Sequence, residues 1–249
     1  MIEHQNTIVV IPVRMASAGL PGKPMADING IPMIAHVWRR AVEANVGRVL
    51  VASAEIEIAD SVRAQGGDAI VTTAGLSSGT DRVAEALTLR DPEGQYRFVV
   101  VLRGDVPGID TLSIQRCLAG LVNQTADIST IAAPLGDAAA IANPYVVKVL
   151  APLSADREVA FARDFVRQLP SGAEPPFWRH IGVYAYKRAA LDRFAALPVG
   201  PREAEHRLEQ LRALDNGLRI AVVRVDTVAL EVDTPANLDI ARQMLRTRS

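Results

Sequence analysis

The sequence predicts an α/β fold, doubly wound about a mostly parallel sheet, and three observations point there. Between residues 7 and 102, β-rich runs alternate with helical patterns. The apolar content is 49% of the chain with only 4% aromatic residues, so Ala, Val, Leu and Ile dominate, as suits helices packed on a buried sheet. A loop bearing glycines and cations follows the first strand, at the carboxyl edge where open parallel sheets bind ligands.

The elements follow in order. Runs at 7–11, 48–52, 69–71 and 98–102 read as strands, and patterns at 31–44, 55–65 and 81–89 read as helices between them. Beyond residue 102 the alternation loosens. Strands are expected at 128–133, 145–150, 181–186 and 219–225, and helices at 202–214 and 235–245. Residues 151–176, rich in charges, Pro and Gly near 153–176, read as a less regular excursion. There is no repeat, low-complexity tract or evident linker, so residues 1–249 are expected to form one domain with a small appended β layer.

Composition excludes several classes. A net charge of −1 and a pI near 6.4 leave no basic face for a nucleic-acid backbone. Residues 1–18 begin with Glu3 in place of a basic cluster, and Pro12 and Arg14 interrupt the apolar stretch, so a secretion signal is not expected. No apolar run approaches the ~20 residues of a membrane span. Cys117 is the single cysteine and lies in a helical pattern with Leu112, Ile114, Leu118 and Leu121, which predicts a packing residue. A cytoplasmic protein without nucleic-acid or membrane partners is the expectation.

Residues 11–24 read I-P-V-R-M-A-S-A-G-L-P-G-K-P and carry the strongest functional signal. Arg14 and Lys23 flank two glycines just past the first strand, where cations and backbone amides can hold phosphates. The spacing matches neither the Walker loop, since Pro24 follows Lys23, nor the G-x-G-x-x-G fingerprint. Alone, the segment is equally a proline-glycine turn with a solvated lysine.

Other candidates lie along the same edge. In Arg103-Gly104-Asp105-Val106-Pro107, after the most apolar strand, Asp105 is either a turn former or a ligand for Mg²⁺, which takes oxygen ligands and shares them with phosphates. Asp233, just before the helix start Thr234-Pro235, is a second metal ligand or ordinary helix punctuation. Both carboxylates are expected at an exposed sheet edge. Ser78, Gly79 and Thr80 open a helix, so they either read a base or ribose or simply cap it. Glu203, Glu205, His206 and Glu209 cluster, but without H-E-x-x-H and among arginines they read as a solvated face.

In order, these segments resemble the CMP-Kdo synthetases, the 3-deoxy-manno-octulosonate (Kdo) cytidylyltransferases of the nucleotide-diphospho-sugar transferase superfamily. The likeness runs from Thr7 to Leu245 through I-P-V-R and L-P-G-K-P, N-G-I-P-M-I-A-H-V, S-G-T-D-R, R-G-D-V-P, N-P-Y-V-V-K, R-H-I-G-V-Y, L-E-Q-L-R and V-D-T-P. The resemblance implies a Rossmann-like sheet and transfer of CMP from CTP to the anomeric hydroxyl of Kdo or a related acidic sugar, releasing pyrophosphate. Such a step serves lipopolysaccharide biosynthesis. It also implies Mg²⁺ on Asp105 and Asp233, the triphosphate on Arg14 and Lys23, cytidine on Ser78 to Thr80, and a homodimer. Arg103, His180, Tyr184, Glu209 and Gln210 match positions of the sugar-acid pocket.

The chain departs from the family pattern at four places. The second arginine of A-S-T-R-L-P-G-K-P is Gly19, so one phosphate cation is missing. Q-G-D-E-P has become R-G-D-V-P, so Arg103 either selects another acidic sugar or replaces the lost cation. A-T-D is Ala52-Ser53-Ala54, and 153–169 matches poorly. A catalytically weakened nucleotide-sugar binder, or an enzyme for another sugar acid or nucleotide, are the alternatives these changes raise.

Overall fold

The computed structural model describes residues 4–16, 19–76, 78–121 and 125–246. Ser17 and Ala18 of the 11–24 loop, and Ser77 just before the S-G-T-D-R motif, lie outside the described residues. The chain begins with β1 (Thr7–Val13), a 3-10 turn (Lys23–Met25), the strands β2 (Asp27–Ile28) and β3 (Ile31–Pro32), and α1 (Met33–Glu43). It continues through β4 (Arg48–Ser53), α2 (Ile56–Arg63), β5 (Asp68–Val71), α3 (Gly79–Arg90), β6 (Phe98–Leu102) and α4 (Thr111–Ala119). Then come β7 (Ile128–Leu135), α5 (Ala138–Ala142), β8 (Lys148–Leu150), β9 (Val159–Phe161), β10 (Asp164–Val166) and β11 (Phe177–Lys187). The chain closes with α6 (Arg188–Ala195), α7 (Pro201–His206), α8 (Gln210–Asp215), β12 (Ile220–Arg224) and α9 (Pro235–Arg246). The expected α/β class with parallel winding is present.

The residues group into two compact units, the first formed by 1–115 and 229–249, the second by 116–228. In the first, the strand order is β5-β4-β1-β6 and every pairing is parallel. β1 is central because it is apolar on both faces: Val9, Val10 and Ile11 have no exposed surface, and Val9 lies opposite both Val49 and Val100. Parallel neighbours require crossovers, and α1, α2 and α3 supply them. The loops after β1, β4, β5 and β6 therefore leave the sheet at one edge.

The helix expected over 31–44 starts two residues late. Asn29 and Gly30, both at positive φ (56° and 85°), turn β2 back onto β3, so Ile31 pairs with Ile28 before Pro32 starts α1. Asn-Gly is the sequence best suited to such a two-residue turn. α1 then buries Met33, Ile34, Val37 and Ala41 on one face. Ile28 and Met33 pack with Val232, Leu238 and Ala241, which anchors the start of α9.

The second unit is a mixed sheet. β7 pairs β12 in parallel and β11 antiparallel; β9 joins β12, β8 joins β11 and β10 joins β8, all antiparallel. The excursion thus contributes two short strands. Cys117 is buried, with its thiol near the carbonyls of Ser129 and Val183 at 3.6 Å, and burial pushes its pKa up. The helix expected over 202–214 is two helices, because Arg207 takes a left-handed conformation (φ 53°) between α7 and α8. Glu203 corrects the solvated-face expectation: it is buried, and both its carboxylate oxygens accept from the Arg212 guanidinium at 2.6 and 2.7 Å. Among the described residues, no helix is long and apolar enough to cross a membrane.

Candidate active site

The site lies in the first unit, at the edge where β1 and β6 end. β6 delivers Arg103, Gly104 and Asp105, and the segment before α9 delivers Glu231 and Asp233. A backbone hydrogen bond joins the two, from the amide of Val232 to the carbonyl of Asp105 at 2.9 Å. On the far side, Thr234 starts α9 as expected, its hydroxyl accepting from the amide of Asn237 at 3.2 Å. Asp233 is thus fixed between a backbone tether and a capped helix.

The Lys23 ammonium draws the carboxylates together. Its Nζ donates to Asp105 Oδ2 and to Asp233 Oδ1, each at 2.8 Å. Asp105 Oδ2 also accepts from the Arg103 guanidinium at 2.7 Å, and Arg103 reaches Glu231 at 3.3 Å. Two cations thus face three carboxylates. Asp233 is exposed, as the sequence suggests, whereas Asp105 retains only 6% of its surface and corrects the exposed-edge expectation.

These contacts decide the protonation states. Burial resists ionisation of Asp105, but Arg103 and Lys23 overcome it and hold the carboxyl below its ordinary range. Burial likewise opposes the charge on Lys23, and Asp105 and Asp233 outweigh it, raising the ammonium's pKa. Arg103 is affected in the same way, by burial first and then by Asp105 and Glu231, with a net rise. At neutral pH all these groups carry their charge. Oδ1 of Asp105 is buried and has no hydrogen-bond partner among the described residues, a costly arrangement for a carboxylate unless a cation meets it.

A cavity of about 740 Å³ opens beside these groups. Arg14, Lys23, Ser78, Gly79, Arg82 and Asp105 lie on its wall. Ser78 caps α3 in a reciprocal pair with Asp81, its hydroxyl accepting from the Asp81 amide and the Asp81 carboxylate accepting from the Ser78 amide, both at 3.1 Å. The N-terminal end of α3 therefore faces the cavity, which favours an anion or a polar ring edge. Thr80 is buried one position further on. Arg82 is 2% exposed and donates to the hydroxyl of Thr72 and to the carbonyl of Thr73. Burial, and then the charge of Arg14 against the pull of Glu55 and Glu85, lower its pKa.

The expected sugar-pocket residues, Arg103 apart, lie in the second unit. β11 carries His180 and Tyr184 with ring centroids 5.5 Å apart, and Phe165 meets His180 edge-on at 5.0 Å. Between Ile181 and Tyr184 the register with β7 slips by a bulge. Thr130 fills that gap, its hydroxyl directed at the Val183 carbonyl at 2.7 Å, so the bond to His180 Nε2 at 3.0 Å is donated by the ring. Tyr186 and Phe194 continue the row of rings, and Arg212 stacks on Phe194 at 4.7 Å. Glu209 sits 3.8 Å from that guanidinium, and Gln210 is buried with its amide nitrogen unpartnered among the described residues.

A family model described as Cytidylyltransferase matches residues 8–220. The 3-deoxy-manno-octulosonate cytidylyltransferase of Parvibaculum lavamentivorans is 51% identical over 98% of this chain and 94% of that protein. The chain belongs to the cytidylyltransferase family. The protein of the same name from Methylobacterium radiotolerans is 48% identical over 98% of both chains. A solved CMP:2-keto-3-deoxy-manno-octonic acid synthetase complexed with CTP is 34% identical, with a TM-score of 0.88 over 98% of this chain and 99% of that one. A UTP-bound UGPase from Acinetobacter baumannii, at 15% identity, shares the fold with a TM-score of 0.69 over 98% of this chain and 94% of that one.

For a cytidylyltransferase, two features of the site were not foreseen. Arg82 was visible only as the last letter of a motif; its burial on a cavity wall is a tertiary property with no sequence signal. Gly19 is more than a missing cation, because a Cβ there would lie 2.3 Å from the carbonyl oxygen of Asp233. The loop passes so close to the metal-ligand candidate that no side chain fits in this arrangement. Arg103 pairs with Asp105 and Glu231, whereas Arg14, Lys23 and Arg82 are the cations on the cavity wall.

Proposed function

We propose that this chain transfers the cytidylyl group of CTP to the anomeric hydroxyl of Kdo, releasing pyrophosphate. The observation that carries the reading is the convergence of Asp105 and Asp233 on one lysine ammonium beside a cavity walled by Arg14, Lys23 and Arg82. The sugar oxygen bonds to the α-phosphorus, the bond from that phosphorus to the bridging oxygen of pyrophosphate breaks, and the hydroxyl proton leaves. Charge grows on the phosphoryl oxygens and the departing pyrophosphate, so fixed cations supply the stabilisation. Arg14 and Lys23 hold the triphosphate, and Ser78, Gly79 and Thr80 at the start of α3 receive the nucleoside. No covalent nucleophile is required.

The donor set fits Mg²⁺. Asp105 offers a buried Oδ1 without a hydrogen-bond partner among the described residues, and Asp233 an exposed carboxylate, two hard oxygens that substrate phosphates and water would complete. Among the described residues no group of three or more His, Cys, Asp or Glu is placed to hold a metal ion, so further ligands would have to come from substrate and water. Bound there, Mg²⁺ would supply Lewis acidity toward the α-phosphate and lower the pKa of the attacking hydroxyl. In the second unit, His180, Tyr184, Glu209 and Gln210 supply donors, acceptors and ring faces for the sugar acid, an assignment supported by the family motifs they occupy. The same motifs support a homodimer, and consumption of CTP supports a cytoplasmic location.

Incubation with CTP, Mg²⁺ and Kdo, followed by pyrophosphate release, tests the reading. Turnover with CTP and Kdo, lost in UTP or GTP, is expected. Nucleotide binding by calorimetry without turnover on any of a panel of sugar acids would replace it with a binding role.

A further inference from the structure

The most unusual feature of the site is the loading of one oxygen. Asp105 Oδ2 accepts from both Lys23 and Arg103, while Oδ1 of the same carboxylate has no hydrogen-bond partner among the described residues. Lys23 belongs to the cavity wall and to Asp233 as well. Arg103 is different: it is fixed from the other side by Glu231, and 44% of its side chain is in solvent. Arg103 is not among the residues lining the cavity, whereas Asp105 is. A guanidinium in that position holds one lobe of the carboxylate and places a full positive charge beside any cation that Asp105 takes up. Like charges at such separations repel by amounts that matter even in a partly solvated setting.

We propose that Arg103 is a positioning residue that sets the divalent-ion demand of this site, holding Asp105 when no metal is bound and opposing the metal's charge when one arrives. The proposal rests on the reading of Asp105 and Asp233 as metal ligands. It gives the arginine that replaces the family's glutamine a role distinct from the two expected of it, the supply of a phosphate cation and the selection of a sugar. Glutamine at this position would keep a neutral donor for Asp105 Oδ2 and remove the repulsion. The chain would therefore bind its metal more weakly than a neutral side chain at position 103 allows, and would draw more of its metal affinity from the bound nucleotide.

Mn²⁺ alone serves as the probe, with free ion counted by electron paramagnetic resonance and neither nucleotide nor sugar present, so the readout is independent of turnover. Arg103→Gln should lower the Mn²⁺ dissociation constant about tenfold, and Arg103→Lys, which keeps the charge, should stay within about threefold of the unaltered protein. Because the side chain lies partly in solvent, both exchanges leave the core intact, and circular dichroism verifies this. Asp105→Asn separates the two levels. If it weakens Mn²⁺ binding while Arg103→Gln changes nothing, or if Arg103→Lys matches Arg103→Gln, the role of Arg103 is overturned and the metal reading stands. If Asp105→Asn leaves Mn²⁺ binding unaltered, the metal reading itself fails and takes this proposal with it.

Discussion

Asp105 concentrates the chemistry of the molecule in one side chain. Its replacement by Asn keeps the shape but removes the charge that gathers Lys23 and Arg103 and would hold the proposed metal, so turnover should fall by at least about a hundredfold in a pyrophosphate-release assay. Replacement by Ala also takes one partner from each of two cations; with Lys23 still on Asp233 and Arg103 still on Glu231, urea unfolding should show a loss of about 1–3 kcal/mol. The pH dependence has a definite sign. Asp105 titrates below its ordinary 3.8 when folded, so its contribution is complete above 3.8 and is lost as pH falls through the folded value. Lys23 titrates above its ordinary 10.5, so its contribution is complete below 10.5 and is lost as pH rises through the folded value. Melting temperature against pH should therefore fall less steeply at the acid end for Asp105→Asn; parallel acid limbs would refute the coupling. The two aspartates were readable as residues because each sits in a short punctuated motif. Their meeting was accessible only through the family likeness, and the lysine that joins them was not foreseen, since 82 and 210 positions separate Lys23 from the two acids.

At the scale of elements, what was legible depended on how local the signal was. β6 runs over the predicted 98–102, since five apolar β-formers between polar segments admit little else. The β2–β3 turn carried its signal in Asn29-Gly30, but strands of two residues are too short for any periodicity to declare them. The α7–α8 break had none: a left-handed arginine at 207 is imposed by the packing around it, not by its own preference. That packing centres on Arg212, which pairs with Glu203 and stacks on Phe194. Arg212→Leu should cost about 3–5 kcal/mol in chemical denaturation, because Glu203 would be left buried and charged. Glu203→Gln/Arg212→Leu, which removes both charges, should recover much of that loss. A single-mutant cost below about 1 kcal/mol would mean that solvent reaches the pair.

At the scale of the whole molecule, the parallel half and the mixed half differ in how their sequences announce them. The first unit follows strand–helix alternation and was predictable from it. The second pairs strands from distant stretches, β9 with β12 and β10 with β8, whose short runs carry no period. The residues proposed there for the sugar acid were therefore accessible only through family likeness. Since CTP is bound by the folded chain alone, free nucleotide at a hundred times its dissociation constant should stabilise the protein by about 2.7 kcal/mol, read as a rise in melting temperature. Metal chelation should act differently. Because a lysine bridges the acids, their mutual repulsion is already quenched within the polypeptide, and EDTA should leave the urea midpoint unmoved while stopping catalysis. On the proposed metal reading, a chain stripped of divalent ions would keep its architecture and need only the ion, not refolding, to become active.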